Sequence, residues 1–273
     1  MRAELPGFLL ALGSIAMCGR IALYTPPERL ARRLHAALAP DLGEAAEPHW
    51  NLPPTQQVLA LVRPRPRSDG SSDHPERSEG SNGAGQPQRL IASFRWGLIP
   101  WWAKDPAIGN KQFNARAETL AKRPAFRSAL AERRCLVLAD GFYEWKKEMV
   151  AGKQLRIPYF FTRSDGEPLA LAGLWETWRD PSVPRDQRTR IHSCTIITTD
   201  SGPDIASVHD RMPVVVEQDE FDEWLDPEPL DDGTLATVLS PSPAGTLHSV
   251  EVSPRVNSVR NEGPELLEAV NSA

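Results

Sequence analysis

Met17-Cys18-Gly19-Arg20 sets a cysteine directly after a methionine. Removal of an initiator methionine before a small residue leaves Cys18 with a free α-amine beside its own thiol. An α-amine has a pKa near ~8, against ~10.4 for a lysine. Much of it is therefore neutral and nucleophilic near neutral pH. It can condense with an aldehyde to a Schiff base, and the thiol can then add to the same carbon. The product is a five-membered thiazolidine, and closure is favoured because both nucleophiles belong to one residue. An internal cysteine has no free amine and cannot do this. The chemistry thus asks for Cys18 as an exposed N-terminal residue.

Four further clusters carry unusual residue types. They are Trp-Gly-Leu-Ile-Pro-Trp-Trp at 96–102, Phe-Asn-Ala-Arg-Ala-Glu-Thr at 113–119, Asp-Gly-Phe-Tyr-Glu-Trp at 140–145 and Val-His-Asp-Arg-Met-Pro at 208–213. Glu144 lies between two aromatic residues, a setting that raises a carboxyl pKa and suits acid–base work. His209 titrates near neutrality and can shuttle a proton. Asn114 can donate and accept, so it can hold a backbone group or a sugar hydroxyl. Arg20, Arg116 and Arg211 are candidate phosphate clamps. Trp101, Trp102 and Trp145 are candidate stacking residues, each contact being worth roughly 1–3 kcal/mol per base. Each type also has a plain reading as core or solvated surface. His35, His49, His192 and His248 keep that reading, and Trp96 and Trp175 read as core.

Taken in order, and with Asn51-Leu52-Pro53-Pro54-Thr55 and Ala172-Gly173-Leu174-Trp175-Glu176, these motifs resemble the SRAP family of abasic-site processing proteins. The resemblance runs from Cys18 to about Val259. It implies that Cys18 becomes residue one and captures the aldehyde of a ring-opened abasic sugar in single-stranded DNA. It assigns Glu144 to catalysis, with Asn114 and His209 beside it, and places Pro54 and Thr198 along the DNA cleft. It implies a covalent crosslink that shields the lesion in the DNA damage response, with lyase activity conceivable through the Schiff base. Two alternatives stay open. One is a thiol peptidase that removes a leader before Cys18, and the other is a non-covalent single-strand binder.

The net charge of -5 argues against a dedicated duplex-DNA binder, so a nucleic-acid site must be a local basic cleft. The three cysteines show no CxxC spacing, and neither a disulfide framework nor a zinc site is expected. Cys135 and Cys194 sit in apolar runs and read as small core residues. No cofactor or metal is expected. The expected partner is single-stranded DNA bearing abasic sites, bound by a monomer in the cytoplasm and associated with the nucleoid when on DNA.

Residues 1–17 read as a leader or a mis-assigned start. The apolar run from Leu5 to Ala16 is too short to span a membrane. It makes a poor export signal, and Met17 is too bulky for the position before a lipoprotein cysteine.

Residues 18–260 form the expected domain, with 261–273 as a tail. A Ser-, Gly- and Pro-rich insertion at about 64–89 holds almost no apolar side chains and should not fold. A helix is predicted from Thr25, with Thr25 as N-cap and Glu28 completing a capping box, up to Pro40. Further helices are predicted over 115–121, 125–133 and 218–225. Strands are predicted over 57–63, 90–95, 135–139, 158–163, 169–174, 191–198 and 247–252. Strands not separated by regular helices imply an α+β fold, a single domain with a curved antiparallel, barrel-like sheet flanked by short helices.

Overall fold

The computed structural model describes residues 18–64, 89–184 and 187–270. The first strands are β1 (Ile21–Leu23), β2 (Ala36–Leu38), β3 (His49–Leu52), β4 (Gln57–Val62), β5 (Arg89–Trp96) and β6 (Asn114–Arg116). They are followed by β7 (Arg134–Ala139), β8 (Gly141–Val150), β9 (Lys153–Arg163), β10 (Leu169–Arg179), β11 (Arg190–Asp200), β12 (Arg211–Pro213) and β13 (Leu247–Glu251). The helices are α1 (Pro27–Leu34), α2 (Pro124–Glu132), α3 (Phe221–Leu225) and α4 (Asp232–Val238).

Five strands close on themselves in the order β11–β10–β7–β4–β5, and β5 returns to β11 through a parallel pairing, Cys194 opposite Trp96. Closure gives every strand of this ring two faces to bury. Alternate residues divide accordingly. Val58, Ala60, Phe94, Cys135, Val137, Leu171, Trp175, Cys194 and Ile196 fill the interior. Leu59, Leu61, Ile91, Leu136, Leu138, Ala172, Leu174 and Ile197 face outward beneath Leu30, Phe126, Leu130, Trp224 and Val238 of the helices. That is why Cys-Leu-Val-Leu-Ala and Leu-Ala-Leu-Ala-Gly-Leu read as unbroken apolar runs rather than alternating ones. A second sheet, ordered β13–β9–β8–β1–β3, leans on the ring. The α+β, barrel-like expectation holds. The sheet is not purely antiparallel, however, since β2–β5, β5–β11 and β6–β11 are parallel pairs.

Four local expectations are corrected. The first helix stops at Leu34, where His35 turns left-handed at φ 48°, and Ala36–Leu38 joins β5 as a strand instead. Thr25 does not cap that helix. Pro26 stands at the N-cap, and the Thr25 N–H and hydroxyl both donate to Asp140, at 2.7 and 2.6 Å, so the side chain is held by Asp140 and accepts no helix N–H. Residues 115–121 are not a helix. Asn114–Arg116 pairs with the β11 edge, and Ala117–Thr119 is a single 3-10 turn. Residues 261–270, read as tail, are packed, with Leu266 buried and the Val270 N–H on Glu251 O. Most of the 64–89 insertion lies outside the described residues. The hairpin it interrupts is intact, with Val62 opposite Leu90.

Arg134 ties the helices to the ring. Buried at the start of β7, it donates to Leu130 O, Ala131 O, Trp224 O, Asp226 O and Glu228 O, which lie at and beyond the ends of α2 and α3. Burial lowers its pKa to about 10, against the pull of Asp226, so it stays charged. Arg134→Met keeps the stem but orphans these carbonyls. We expect a loss of roughly 2–4 kcal/mol, read as a lower urea midpoint at unchanged slope. An unshifted midpoint would remove the arginine from this role.

Candidate active site

Cys18 lies just before β1, which is held between β3 and β8. Its backbone nitrogen donates to Glu144 Oε1 at 2.5 Å. Glu144 is the fourth residue of β8, opposite Tyr159 of β9. β8 can start here because its first residue is Gly141, where a Cβ would overlap the Phe160 ring. Glu144 is only 2 % exposed. Burial pushes its pKa up to about 8, reinforced by the charge of Asp210 and opposed by the N–H groups of Cys18 and Trp145. The sequence expectation of a raised carboxyl is met, through burial in the fold rather than through flanking aromatics alone.

Asn114 Nδ2 reaches Cys18 O at 3.4 Å, a long contact. β6 brings it there by pairing along β11, Ile196 opposite Asn114. His209 Nδ1 accepts the Arg211 N–H at 3.1 Å, so the proton of the neutral ring sits on Nε2. Burial lowers the His209 pKa, although Asp210 Oδ1 stands 2.9 Å from Nδ1 and pulls the other way. The charge of Asp210 bears on both His209 and Glu144.

Cys18 itself is buried, not exposed, and packs with Ile21, Leu52 and Phe142. Burial, and then the charge of Glu144, push its thiol well above the ordinary range. Its backbone sits at φ 47°, a left-handed conformation that L residues seldom hold.

The arginines separate into two kinds. Arg20 is committed internally, to Asn51 Oδ1 at 2.6 Å and Val256 O at 2.9 Å, with its guanidinium 5.9 Å from the Trp145 ring centre. Arg211 is paired with Glu118 at 2.6 Å and Asp200 at 2.9 Å, and also donates to Thr198 O. Neither is a free clamp, because carboxylates and carbonyls already hold their donors. Arg116 is exposed. Trp101 and Trp102 are 62 % and 46 % exposed, whereas Trp96 and Trp175 are core. The tryptophan loop leaves the ring at Gly97, whose φ of 133° and 2.5 Å approach of a notional Cβ to Gly109 O require glycine. Trp145 is half-buried and donates to Asn257 Oδ1 at 2.7 Å. Pro54 is half-buried after β3, and Thr198 is buried under Arg211.

Asn51 was given no role by the sequence beyond its motif. Fully buried, it accepts from Arg20 and donates to Val256 O, Ser258 O and Asn261 O, pinning the C-terminal loop beneath Arg20 and Trp145. An asparagine preceding Leu-Pro-Pro carries no local signal of partners some 205 residues away.

The family model described as SOS response associated peptidase (SRAP) matches residues 17–259. The chain belongs to the SRAP family. It is 35% identical over 253 residues to "Abasic site processing protein YoqW" of Bacillus subtilis, covering 93% of this chain and 100% of that one. It is 31% identical over 284 residues to "Abasic site processing protein HMCES" of Rattus norvegicus, covering 92% of this chain and 75% of that one. Its fold is similar to a crystal structure of a protein from Bacteroides thetaiotaomicron, with TM-score 0.71, 21% identity, and 92% and 99% of the two chains covered. Among the described residues no helix of this SRAP chain is long and apolar enough to cross a membrane. No group of three or more His, Cys, Asp or Glu side chains there is placed to hold a metal.

The raised Glu144 pKa has a consequence for stability. Between the ordinary carboxyl value and about 8, the folded protein holds a proton that the unfolded chain releases. Its contribution is complete below the unfolded pKa and is lost as pH rises through about 8. Glu144→Gln removes this titration. The urea midpoint of the unmodified protein should therefore fall relative to that of the variant between pH 5.5 and 8.5, pH values chosen to bracket the titration. Parallel midpoint profiles would contradict it.

Proposed function

We propose that this SRAP protein senses abasic sites in single-stranded DNA and crosslinks to them through Cys18 as its first residue. The observation that carries the reading is the 2.5 Å contact between the Cys18 nitrogen and the buried Glu144 carboxyl. The names of the relatives supply the lesion. Once residues 1–17 are removed, that nitrogen is an α-amine with a pKa near ~8. At 2.5 Å from this carboxyl, an ammonium there can pass its proton to Glu144 and become the neutral, nucleophilic amine.

The amine adds to the aldehyde carbon of the ring-opened sugar, and Glu144 protonates the departing hydroxyl, so that water leaves and a Schiff base forms. The thiol of Cys18 then adds across the C=N bond. The sulfur–carbon bond forms, the thiol proton passes to the nitrogen, and a thiazolidine results. Asn114 holds the Cys18 carbonyl during closure. His209, neutral because burial lowers its pKa, shuttles the proton that opens the sugar ring. The exposed Trp101 and Trp102 stack bases of the strand, and Arg116 offers a charge to its backbone.

The peptidase alternative needs a thiolate nucleophile. Burial and Glu144 disfavour a thiolate at Cys18, so amine chemistry fits this site better.

The test is intact-mass measurement of the cellular protein, followed by incubation with an abasic single strand. We expect a mass beginning at Cys18 and an adduct that survives denaturation. Cys18→Ala should abolish the stable adduct, and Glu144→Gln should slow it by roughly a hundredfold. Equal adduct yield from Cys18→Ala, or from protein retaining residues 1–17, would overturn the mechanism.

A further inference from the structure

The loop that leaves the ring at Gly97 closes on itself where the Leu98 N–H donates to Gln112 O at 3.1 Å. Asn114, whose amide reaches Cys18 O, follows two residues later. Within the loop, Pro100 O accepts the Ala103 N–H at 2.9 Å, so Trp101 and Trp102 are the two central residues of a β-turn. Pro100 and Ala103 are buried, while both indoles are exposed. Trp101 is three residues beyond Leu98, at most ~11 Å of chain, so the turn is tethered to the neighbourhood of Asn114.

Two contacts hold the limbs of this turn against the ring. On the outgoing limb, the Ile99 N–H donates to the buried Ser193 Oγ of β11 at 2.9 Å. On the returning limb, Ala103 O accepts from Trp178 Nε1 of β10 at 2.7 Å. Faces alternate along β10, so Trp175 points into the ring and Trp178 out of it. There Trp178 is buried, packed with Ile99, Ala103 and its cross-strand partner Ile191. The flanks of the turn, rather than a helix, thus cover this indole. With Trp101 and Trp102 exposed, the tip has little packing of its own and depends on its limbs.

We infer that Trp178 and Ser193 are positioning residues for single-strand binding: they preset the turn that presents Trp101 and Trp102 to the bases. This rests on the stacking of those two tryptophans proposed above. A turn fixed before binding avoids the entropy cost of ordering it on the strand. Trp178 and Ser193 are buried beneath the turn, so their effect passes entirely through the two exposed indoles.

The test is a double-mutant cycle read by anisotropy on an undamaged, labelled single strand of about 20 nucleotides. Trp178→Phe keeps an aromatic ring in place and removes the donor to Ala103 O. It is made in the unmodified protein and in Trp101→Ala/Trp102→Ala. We expect it to weaken binding roughly fivefold in the first background and to change nothing further in the second. Should its urea midpoint show that Trp178→Phe folds poorly, Ser193→Ala, which frees the other limb, takes its place in the cycle with the same expected outcome. In adduct formation on an abasic strand, the half-saturating DNA concentration should rise by the same factor, and the rate at saturation should stay unchanged. Unaltered binding by the folded variant, an equal loss in both backgrounds, or a fall in the saturating rate would each overturn the inference. The two readings fail differently. If Trp101→Ala/Trp102→Ala binds as tightly as the unmodified protein, stacking itself is lost and the inference with it. If that variant binds weakly and the limb variant binds normally, only the positioning role is lost. Because the binding arm uses undamaged DNA, it reads the turn even if no adduct ever forms.

Discussion

Closure of the five-stranded ring between β5 and β11 is the constraint on which the rest of the molecule depends. The parallel pairing at Ser193–Arg95 and Cys194–Trp96, continued by the Gly97 N–H on Cys194 O, removes the two edges the ring would otherwise expose. It also fixes what sits at the rim. The tryptophan loop starts where β5 ends, at Trp96. β6 with Asn114 and β12 with Arg211 both pair with the end of β11 that runs beyond the closure. Three motifs far apart in the chain therefore converge at one end of one strand.

The second sheet supplies what the ring lacks. β1 and β8 bring the Cys18 nitrogen against Glu144, and their alignment is supported by backbone bonds on both sides, from Tyr143 N–H to Arg20 O and from Asp140 N–H to Ala22 O. Asp140 then holds the next turn through Tyr24 and Thr25. A carboxyl buried between these elements cannot be hydrated, so its charged form is disfavoured and its proton becomes exchangeable near neutral pH. The raised pKa of this carboxyl is thus a result of packing more than of any single residue type.

Several arginines of this acidic chain are committed to internal partners. Most arginines near the site are structural. Arg20 supports Trp145 and the C-terminal loop, Arg134 supports the helices, and Arg211, in β12, bridges the 3-10 turn after β6 to β11. A net charge summed over the chain does not reveal which cations lack carboxylate partners.

The sequence by itself determined the apolar runs of the ring strands, the core placement of Trp96 and Trp175, and the residue types of the site, because these follow from local pattern and side-chain chemistry. It also carried the family, since the motifs occur in order. What it could not decide depends on contacts between distant residues. Residues 115–121 have helical composition, yet the unpaired edge of β11 takes Asn114–Arg116 as a strand. Thr25 looks like a cap, yet Asp140 claims it. Cys18 reads as exposed, yet the barrel buries it, and Arg211 reads as a clamp, yet Glu118 and Asp200 occupy it. Burial and pairing are properties of the assembled chain. Only the tertiary structure could set the pKa of Glu144 and show which arginines remain unspent.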